Sequence, residues 1–115
     1  MDFEGSDNII IRENSNLWGP FEFDFSNALP SGHVILAVTV KSYSGTYKPQ
    51  DSAEDFTEID LIDPEYVPEA TGNTEVTVKL QYPGDDYKGK ATLVFNVTLV
   101  SGGTHEFFFH RVKVV

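Results

Sequence analysis

The stretch Phe21-Glu22-Phe23-Asp24-Phe25 decides the fold, because it alternates aromatic and acidic residues with a period of two. Successive side chains of a β-strand point to opposite faces of the sheet, so this pattern places three rings on one face and two carboxylates on the other. The stretch therefore predicts a half-buried strand that lays one face on an apolar core.

The same alternation recurs along the chain. Even-numbered positions are apolar or aromatic from Val34 to Val40 and from Val76 to Tyr82, and odd-numbered positions are apolar from Leu93 to Leu99. Stretches rich in Gly, Pro, Asn and Ser separate these segments, as expected of turns. The predicted strands are Asn8–Arg12, Phe21–Phe25, His33–Val40, Thr57–Ile62, Glu75–Tyr82, Ala91–Val100 and Glu106–Val114.

About seven strands with no helices between them predict an all-β fold, an antiparallel immunoglobulin-like β-sandwich. Residues 1–115 are long enough for one domain with a substantial core, and no linker or repeat divides them. The region 45–70 is the least regular, and we expect at most one short helical turn there.

The charge balance narrows the classes of partner. The net charge is −10, and residues 84–115 hold only 3 of the 18 acids but 4 of the 8 bases. Nucleic acid and anionic membranes need clustered Lys and Arg, so we expect neither as a partner. The longest apolar runs fall far short of the ~20 residues of a membrane span, and no signal peptide is evident. The less acidic C-terminal part favours packing against an acidic neighbour; alternatively, the acids simply keep the protein in solution.

Two stretches carry metal-ligand residue types. His105 and His110 are five residues apart, so on a strand they face opposite sides of the sheet and cannot share an ion. The acidic run Asp51–Glu69 offers carboxylates, but its spacing matches no EF-hand, and a solvated face is the simpler interpretation, with a calcium site as the alternative. We therefore expect no metal site and no cofactor, and the absence of cysteine excludes thiolate ligands.

Catalytic motifs are missing. The chain has no G-x-S-x-G stretch, and Gly84–Ala91 departs from the phosphate-loop pattern because Ala91 stands at the magnesium-ligand position. No convergent set of titratable residues is recognisable, so we expect no catalytic residues and no enzymatic activity.

A candidate protein interface follows from the predicted topology. The third, sixth and seventh strands of an immunoglobulin-like sandwich lie side by side, and Val34–Tyr43, Ala91–Val100 and Glu106–Val114 would take these places. Their residues opposite the core form an apolar surface with a basic edge at Arg111 and Lys113, which is typical of an interface. Alternatively, the acidic middle segment folds over this surface and buries it. The predicted interface residues are Ile35, Tyr43, Val94, Phe107, Phe109 and Arg111.

The stretch from Phe21 to His33 has an acid-alternating strand and a Leu-Pro-x-Gly turn, a further strand follows to Tyr43, and Ala91 to Val115 forms a β-rich ending. Together these stretches resemble small immunoglobulin-like structural proteins of tailed phages and prophages. The resemblance covers about half of the chain and implies a decoration, head or tail component, made in the host cytoplasm and located in the virion. Its partners would be other virion or surface proteins, or further copies of itself.

The alternative is an extracellular or cell-surface adhesion or carbohydrate-binding module. Sugar rings stack on flat exposed aromatic side chains, so such a module would use rings that stand near turns. The candidate rings are Trp18, Tyr43, Tyr47, Tyr66 and Tyr87.

Overall fold

The computed structural model describes residues 9–12, 17–29, 32–84 and 87–115, and gives the backbone alone for residues 17–19. These residues form an all-β fold, as predicted, and the only helical element among them is the 3-10 turn Ala53–Asp55. The strands are β1 (Ile9–Ile11), β2 (Leu17–Asp24), β3 (Ile35–Ser44), β4 (Glu69–Ala70), β5 (Glu75–Gln81), β6 (Gly89–Leu99) and β7 (Thr104–Val114).

The strands form two sheets. The four-stranded sheet has the order β1-β7-β6-β3, and the three-stranded sheet has the order β2-β5-β4. Neighbouring strands are antiparallel except β1, which runs parallel to β7. The predicted adjacency of the third, sixth and seventh strands is confirmed. The predicted strand Thr57–Ile62 is wrong, because this stretch contributes only two isolated bridges, Glu58 to Tyr43 and Ile62 to Leu80.

The core lies between the two sheets, and phenylalanine rings join them at its centre. Phe23 of β2 lies 4.9 Å from Phe95 and 5.2 Å from Phe109, measured between ring centroids. Phe25 lies 4.9 Å from Phe107, so Phe23 and Phe25 both contact the opposite sheet. Such tilted and edge-on pairs add stability beyond the apolar area that they bury.

A β-bulge in β7 changes which residues face the core. Ala91 pairs with Val112, whereas Leu93 pairs with Phe109, so two steps on β6 correspond to three steps on β7. The extra residue lies at His110–Arg111, and it reverses the alternation there. Phe107 and Phe109 therefore face the core on one side of the bulge, and Val112 and Val114 face it on the other.

A second bulge acts in the same way at the start of β3. Ile35 pairs with Leu99 and Ala37 pairs with Thr98, so Leu36 is the extra residue. Ile35 is buried in the core, whereas Leu36 is 63% exposed. The prediction that Leu36 faces the core is therefore wrong, although Val38 and Val40, beyond the bulge, do pack against the core.

The chain between β3 and β4 crosses from one sheet to the other. Residues 57–59 pair with the free edge of β3, where Ser44 N donates to Thr57 O and Ile59 N donates to Ser42 O. Residues 61–63 then lie beside β5, where Gln81 N donates to Leu61 O. The Ser42 hydroxyl, which is buried, donates to Ile59 O and accepts from Leu61 N, and so holds the crossing in place.

Candidate functional site

The structure corrects the predicted interface. Five of its six residues are buried: Phe107, Phe109 and Ile35 belong to the core between the sheets, and Tyr43 and Val94 belong to a separate apolar cluster. The error comes from the two bulges, since a strict period of two places Phe107, Phe109 and Ile35 on the outward face. Arg111 alone is exposed.

Tyr43 and Val94 do face outward from the four-stranded sheet, but the chain itself covers them. With Phe108 they form an apolar surface, and the segment 45–56, here called the covering segment, lays Tyr47 and Phe56 upon it. The Tyr47 ring stacks on Phe56 at 4.9 Å and meets Phe108 edge-on at 5.0 Å. We call these five residues the outer cluster. For this part of the face, the alternative interpretation of a covered surface is the correct one.

Hydrogen bonds fix the covering segment at Tyr47. Its backbone N–H donates to the hydroxyl of Thr92 at 3.0 Å, and that hydroxyl donates to Gly45 O at 2.9 Å. The carbonyl of Tyr47 lies 2.6 Å from Nε2 of His110. Burial raises the pKa of the Tyr47 hydroxyl above its ordinary value, with a further contribution from the negative charge of Glu106. The segment is therefore a fixed part of the fold at this point.

An open groove remains beside the covering segment, at the end of the same sheet face. It encloses about 340 Å³ and is called here the cationic groove. Ile10, 44% exposed, contributes an apolar side chain, and Thr46 of the covering segment forms part of the wall. The residues that line it are Ile10, Thr46, Lys90, His110, Arg111, Val112 and Lys113.

Strand register brings the cations together. Lys90 on β6 is the direct partner of Lys113 on β7, and Lys113 is in turn the partner of Ile10 on β1. The bulge adds to the cluster, because it lets His110 and Arg111 both line the groove, although they are consecutive in the strand. Three of the eight Lys and Arg residues of a chain with a net charge of −10 thus line one groove.

This arrangement opposes folding. Like charges that lie directly opposite in an antiparallel pair destabilise a sheet, with Cβ atoms about 4.5–5.5 Å apart. The fold does not require Lys at either position, since both residues are exposed on the outward face. An anionic group bound in the groove would relieve the repulsion between Lys90 and Lys113, so the chemistry that the site supports is recognition of negative charge beside an apolar contact.

The sequence pattern predicts this groove only in part. It indicates a basic edge at Arg111 and Lys113, but not the contribution of Lys90 and Ile10, because their pairing with Lys113 depends on strand register. A signal was available: four of the eight bases fall within residues 84–115. Lys90 also directly precedes Ala91, the first core residue of β6, so alternation alone places Lys90 outward.

The metal-ligand candidates do not converge. His105 stacks beside Phe107 on the core side, whereas His110 stacks beside Phe108 on the outward side, so the two histidines face opposite sides, as predicted. In the acidic run Asp51–Glu69, the carboxylates are exposed except Asp63, whose Oδ1 accepts from Glu65 N at 2.9 Å. No group of three or more His, Asp or Glu side chains in the described ranges is arranged to hold a metal ion.

The candidate sugar-stacking rings are mostly engaged in the fold. Tyr43 and Tyr47 are buried in the outer cluster, and the Tyr87 hydroxyl accepts from Gly45 N at 3.0 Å and donates to Lys90 O. Tyr66 is half-buried, with the Lys79 ammonium 6.0 Å from its ring centroid. The side chain of Trp18 lies outside the described residues. The rings that the structure describes therefore do not form an open platform for a sugar.

In the part of the chain that the structure describes, no helix is long and apolar enough to span a membrane. No family model matches the sequence, and the search of curated proteins finds no match.

Proposed function

We propose that the chain is an immunoglobulin-like sandwich that serves as a non-enzymatic interaction module. The strand orders β7-β6-β3 and β2-β5-β4 support the immunoglobulin-like assignment, because that fold places its seventh, sixth and third strands in one sheet and its second, fifth and fourth in the other. One feature differs from the constant-type arrangement: β1 pairs with β7 rather than with the second strand.

The cationic groove is the observation that carries the interaction role. It combines the opposed pair Lys90 and Lys113 with Arg111 and the exposed Ile10, on a chain that is otherwise strongly acidic. A partner with carboxylates near an apolar side chain fits this chemistry, which describes an acidic protein surface. Nucleic acid fits less well, because the net charge of −10 repels a long polyanion.

We further propose that the setting is a phage or prophage particle, where the chain would act as a decoration, head or tail component bound to other virion proteins. The resemblance of the stretch from Phe21 to His33 and of the C-terminal stretch from Ala91 to Val115 to such proteins supports this setting. Detection of the chain by mass spectrometry in purified particles would support the proposal. Its absence from particles, while the chain is abundant on the cell surface, would contradict it.

Binding of an acidic peptide tests the groove directly. A fluorescein-labelled hexaglutamate peptide with one C-terminal leucine is titrated with the protein at low salt, and fluorescence anisotropy reports binding. We expect Lys90→Gln/Lys113→Gln to weaken binding about tenfold, because two partly exposed charge pairs contribute about 1 kcal/mol or less each.

The matched control is Lys41→Gln/Lys48→Gln. It removes the same charge from two exposed lysines that do not line the groove. We expect this variant to bind as the wild type does, apart from a small general charge effect. Equal weakening by both variants would contradict a specific groove, and tighter binding of a DNA oligonucleotide than of the peptide would contradict a protein partner.

A further inference from the structure

The outward face of the other sheet is mainly acidic, although Lys79 of β5 also lies on it. On β2 and β5, Asp24 is the direct partner of Glu75, and Glu22 is the partner of Thr77. Glu69 of β4 is the other partner of Thr77, so Thr77 lies between Glu22 and Glu69. The row of Glu22, Thr77 and Glu69 is adjacent to the pair of Asp24 and Glu75. We call Glu22, Asp24, Glu69 and Glu75 the acidic face.

The acidic face also holds like charges against one another. The carboxyl groups of Glu22 and Glu75 lie within hydrogen-bonding reach, and the hydrogen bond with Glu22, together with the negative charge of Glu22, raises the pKa of Glu75 above its ordinary value. The Asp24 carboxylate already accepts two hydrogen bonds within the chain, from Ser26 N at 2.9 Å and from the Thr74 hydroxyl at 3.1 Å. Glu22 and Glu75 are therefore the carboxylates that gain most from an added cation.

We propose that the cationic groove of one copy receives the acidic face of a second copy, in a head-to-tail arrangement. This inference rests on the proposed function, since it assumes that the groove binds an acidic protein surface. The two sites match in kind: Lys90 and Lys113 are opposed across one strand pair, and on the acidic face Asp24 is opposed to Glu75, with Glu22 diagonal to Glu75 on the same strand pair.

The position of the two sites determines the type of assembly. They lie on the outward faces of different sheets, and the core separates these sheets. The groove of one copy therefore cannot bind the acidic face of the same copy. A contact between two different surfaces of the same protein is heterologous, and it builds rings or open chains rather than closed two-fold dimers. A contact between the groove and the acidic face relieves the repulsion within both clusters, whereas a contact between two identical faces relieves neither.

The net charge of −10 opposes association of two copies, so the head-to-tail contact should depend on protein concentration and on salt. Copies repel one another at long range, so association requires a high protein concentration, as in an ordered particle. The contact itself is an exposed set of ion pairs, which salt weakens as the Debye length falls from about 30 Å at 0.01 M to about 3 Å at 1 M. Moderate salt, near 0.1 M, screens the long-range repulsion while it retains part of the local attraction.

Sedimentation velocity with two neutralising variants tests the proposal. Lys90→Gln/Lys113→Gln removes the groove cations, and Glu22→Gln/Glu75→Gln removes two carboxylates from the acidic face. Each variant also removes a like-charge repulsion, so each should fold at least as well as the wild type, and a melting curve verifies this. The control Glu54→Gln/Glu65→Gln removes two exposed acids that lie outside the acidic face.

We expect the wild type and the control to associate with rising concentration at about 0.1 M salt and to dissociate at 1 M. We expect each neutralised variant alone to remain monomeric, with association weakened about tenfold or more. An equimolar mixture of the two variants should form a 1:1 dimer, because one still has its groove and the other still has its acidic face.

A wild type that stays monomeric, or a mixture that forms no dimer, overturns the head-to-tail inference. The hexaglutamate titration separates this failure from that of the proposed function. If the wild-type groove binds the peptide while the protein stays monomeric, the groove serves a different acidic partner. If the peptide does not bind either, both proposals are wrong.

Discussion

The outward side of the four-stranded sheet has two regions that meet the solvent differently. At its centre, the outer cluster is apolar, and the covering segment shields it through Tyr47 and Phe56. At its end, the cationic groove stays open and holds Lys90 opposite Lys113. The covering segment thus buries the outward-facing rings, whereas the opposed lysines of the cationic groove stay accessible to solvent. We therefore expect a partner to bind at the groove rather than at the outer cluster.

The largest effect should come from the rings that the sequence suggested as an interface. Phe107→Ser/Phe109→Ser removes two fully buried rings from the core, and each deletion of this kind costs about 3–5 kcal/mol. Because a small domain has only about 5–15 kcal/mol of stability, we expect the double variant to be largely unfolded, as circular dichroism would show. A folded double variant would mean that these rings are not in the core.

A smaller loss is expected when the cover of the outer cluster is removed. Tyr47→Ala deletes the ring that contacts Tyr43, Phe56 and Phe108. It keeps the hydrogen bonds that the Thr92 hydroxyl makes with the backbone N–H of residue 47 and with Gly45 O. We expect a loss of about 3 kcal/mol in urea unfolding and stronger binding of a hydrophobic dye to the exposed surface.

Tyr47→Phe is the matched control for that experiment, since it keeps the ring and removes only the hydroxyl. It should lose about 1 kcal/mol or less and should bind no more dye than the wild type. Equal losses in the two variants would show that the hydroxyl, rather than the ring, holds the covering segment.

These two regions also show how much of the molecule can be predicted from sequence. Alternation in β2, β5 and β6 predicts the core faces correctly, because these stretches keep their period of two over the residues that pack inward. The adjacency of β3, β6 and β7 was also predicted, from the hypothesis of an immunoglobulin-like strand order. The all-β architecture was therefore predictable from local patterns.

Long-range geometry accounts for what the sequence did not predict. The bulges at Leu36 and at His110–Arg111 each reverse which side chains of the strand face the core. The local pattern does not require the second bulge, since both sides of Glu106–Val114 carry apolar residues. The covering segment depends on contacts between residues more than 30 positions apart, such as Tyr47 and Phe108. The pairing of Lys90 with Lys113 likewise requires the register.

The smallest stability effect concerns the acidic face and depends on pH. The pKa of Glu75 is raised in the folded protein, so ionisation of this carboxyl destabilises the fold as pH rises through that pKa. Glu75→Gln cannot ionise, and it should melt at a higher temperature than the wild type at pH 7. The difference should disappear near pH 3, where the wild-type carboxyl is protonated as well.

Asp24→Asn is a useful contrast, because the backbone N–H of Ser26 lowers the pKa of Asp24. Ionisation of Asp24 stabilises the fold, and this contribution is lost as pH falls through its folded pKa. The asparagine variant should therefore melt at a lower temperature than the wild type at pH 7. Melting shifts of the same sign for Glu75→Gln and Asp24→Asn would contradict this account of the acidic face.

The most direct test compares the two regions of the sheet face in one measurement. Backbone amide chemical shifts are followed by nuclear magnetic resonance while the hexaglutamate peptide is added at low salt. We expect the amide shifts to change first at Ile10, Lys90 and Lys113 and to stay nearly constant at Tyr43 and Val94. Changes centred on the outer cluster, or spread evenly over all exposed lysines, would contradict the claim that the cationic groove is the binding surface.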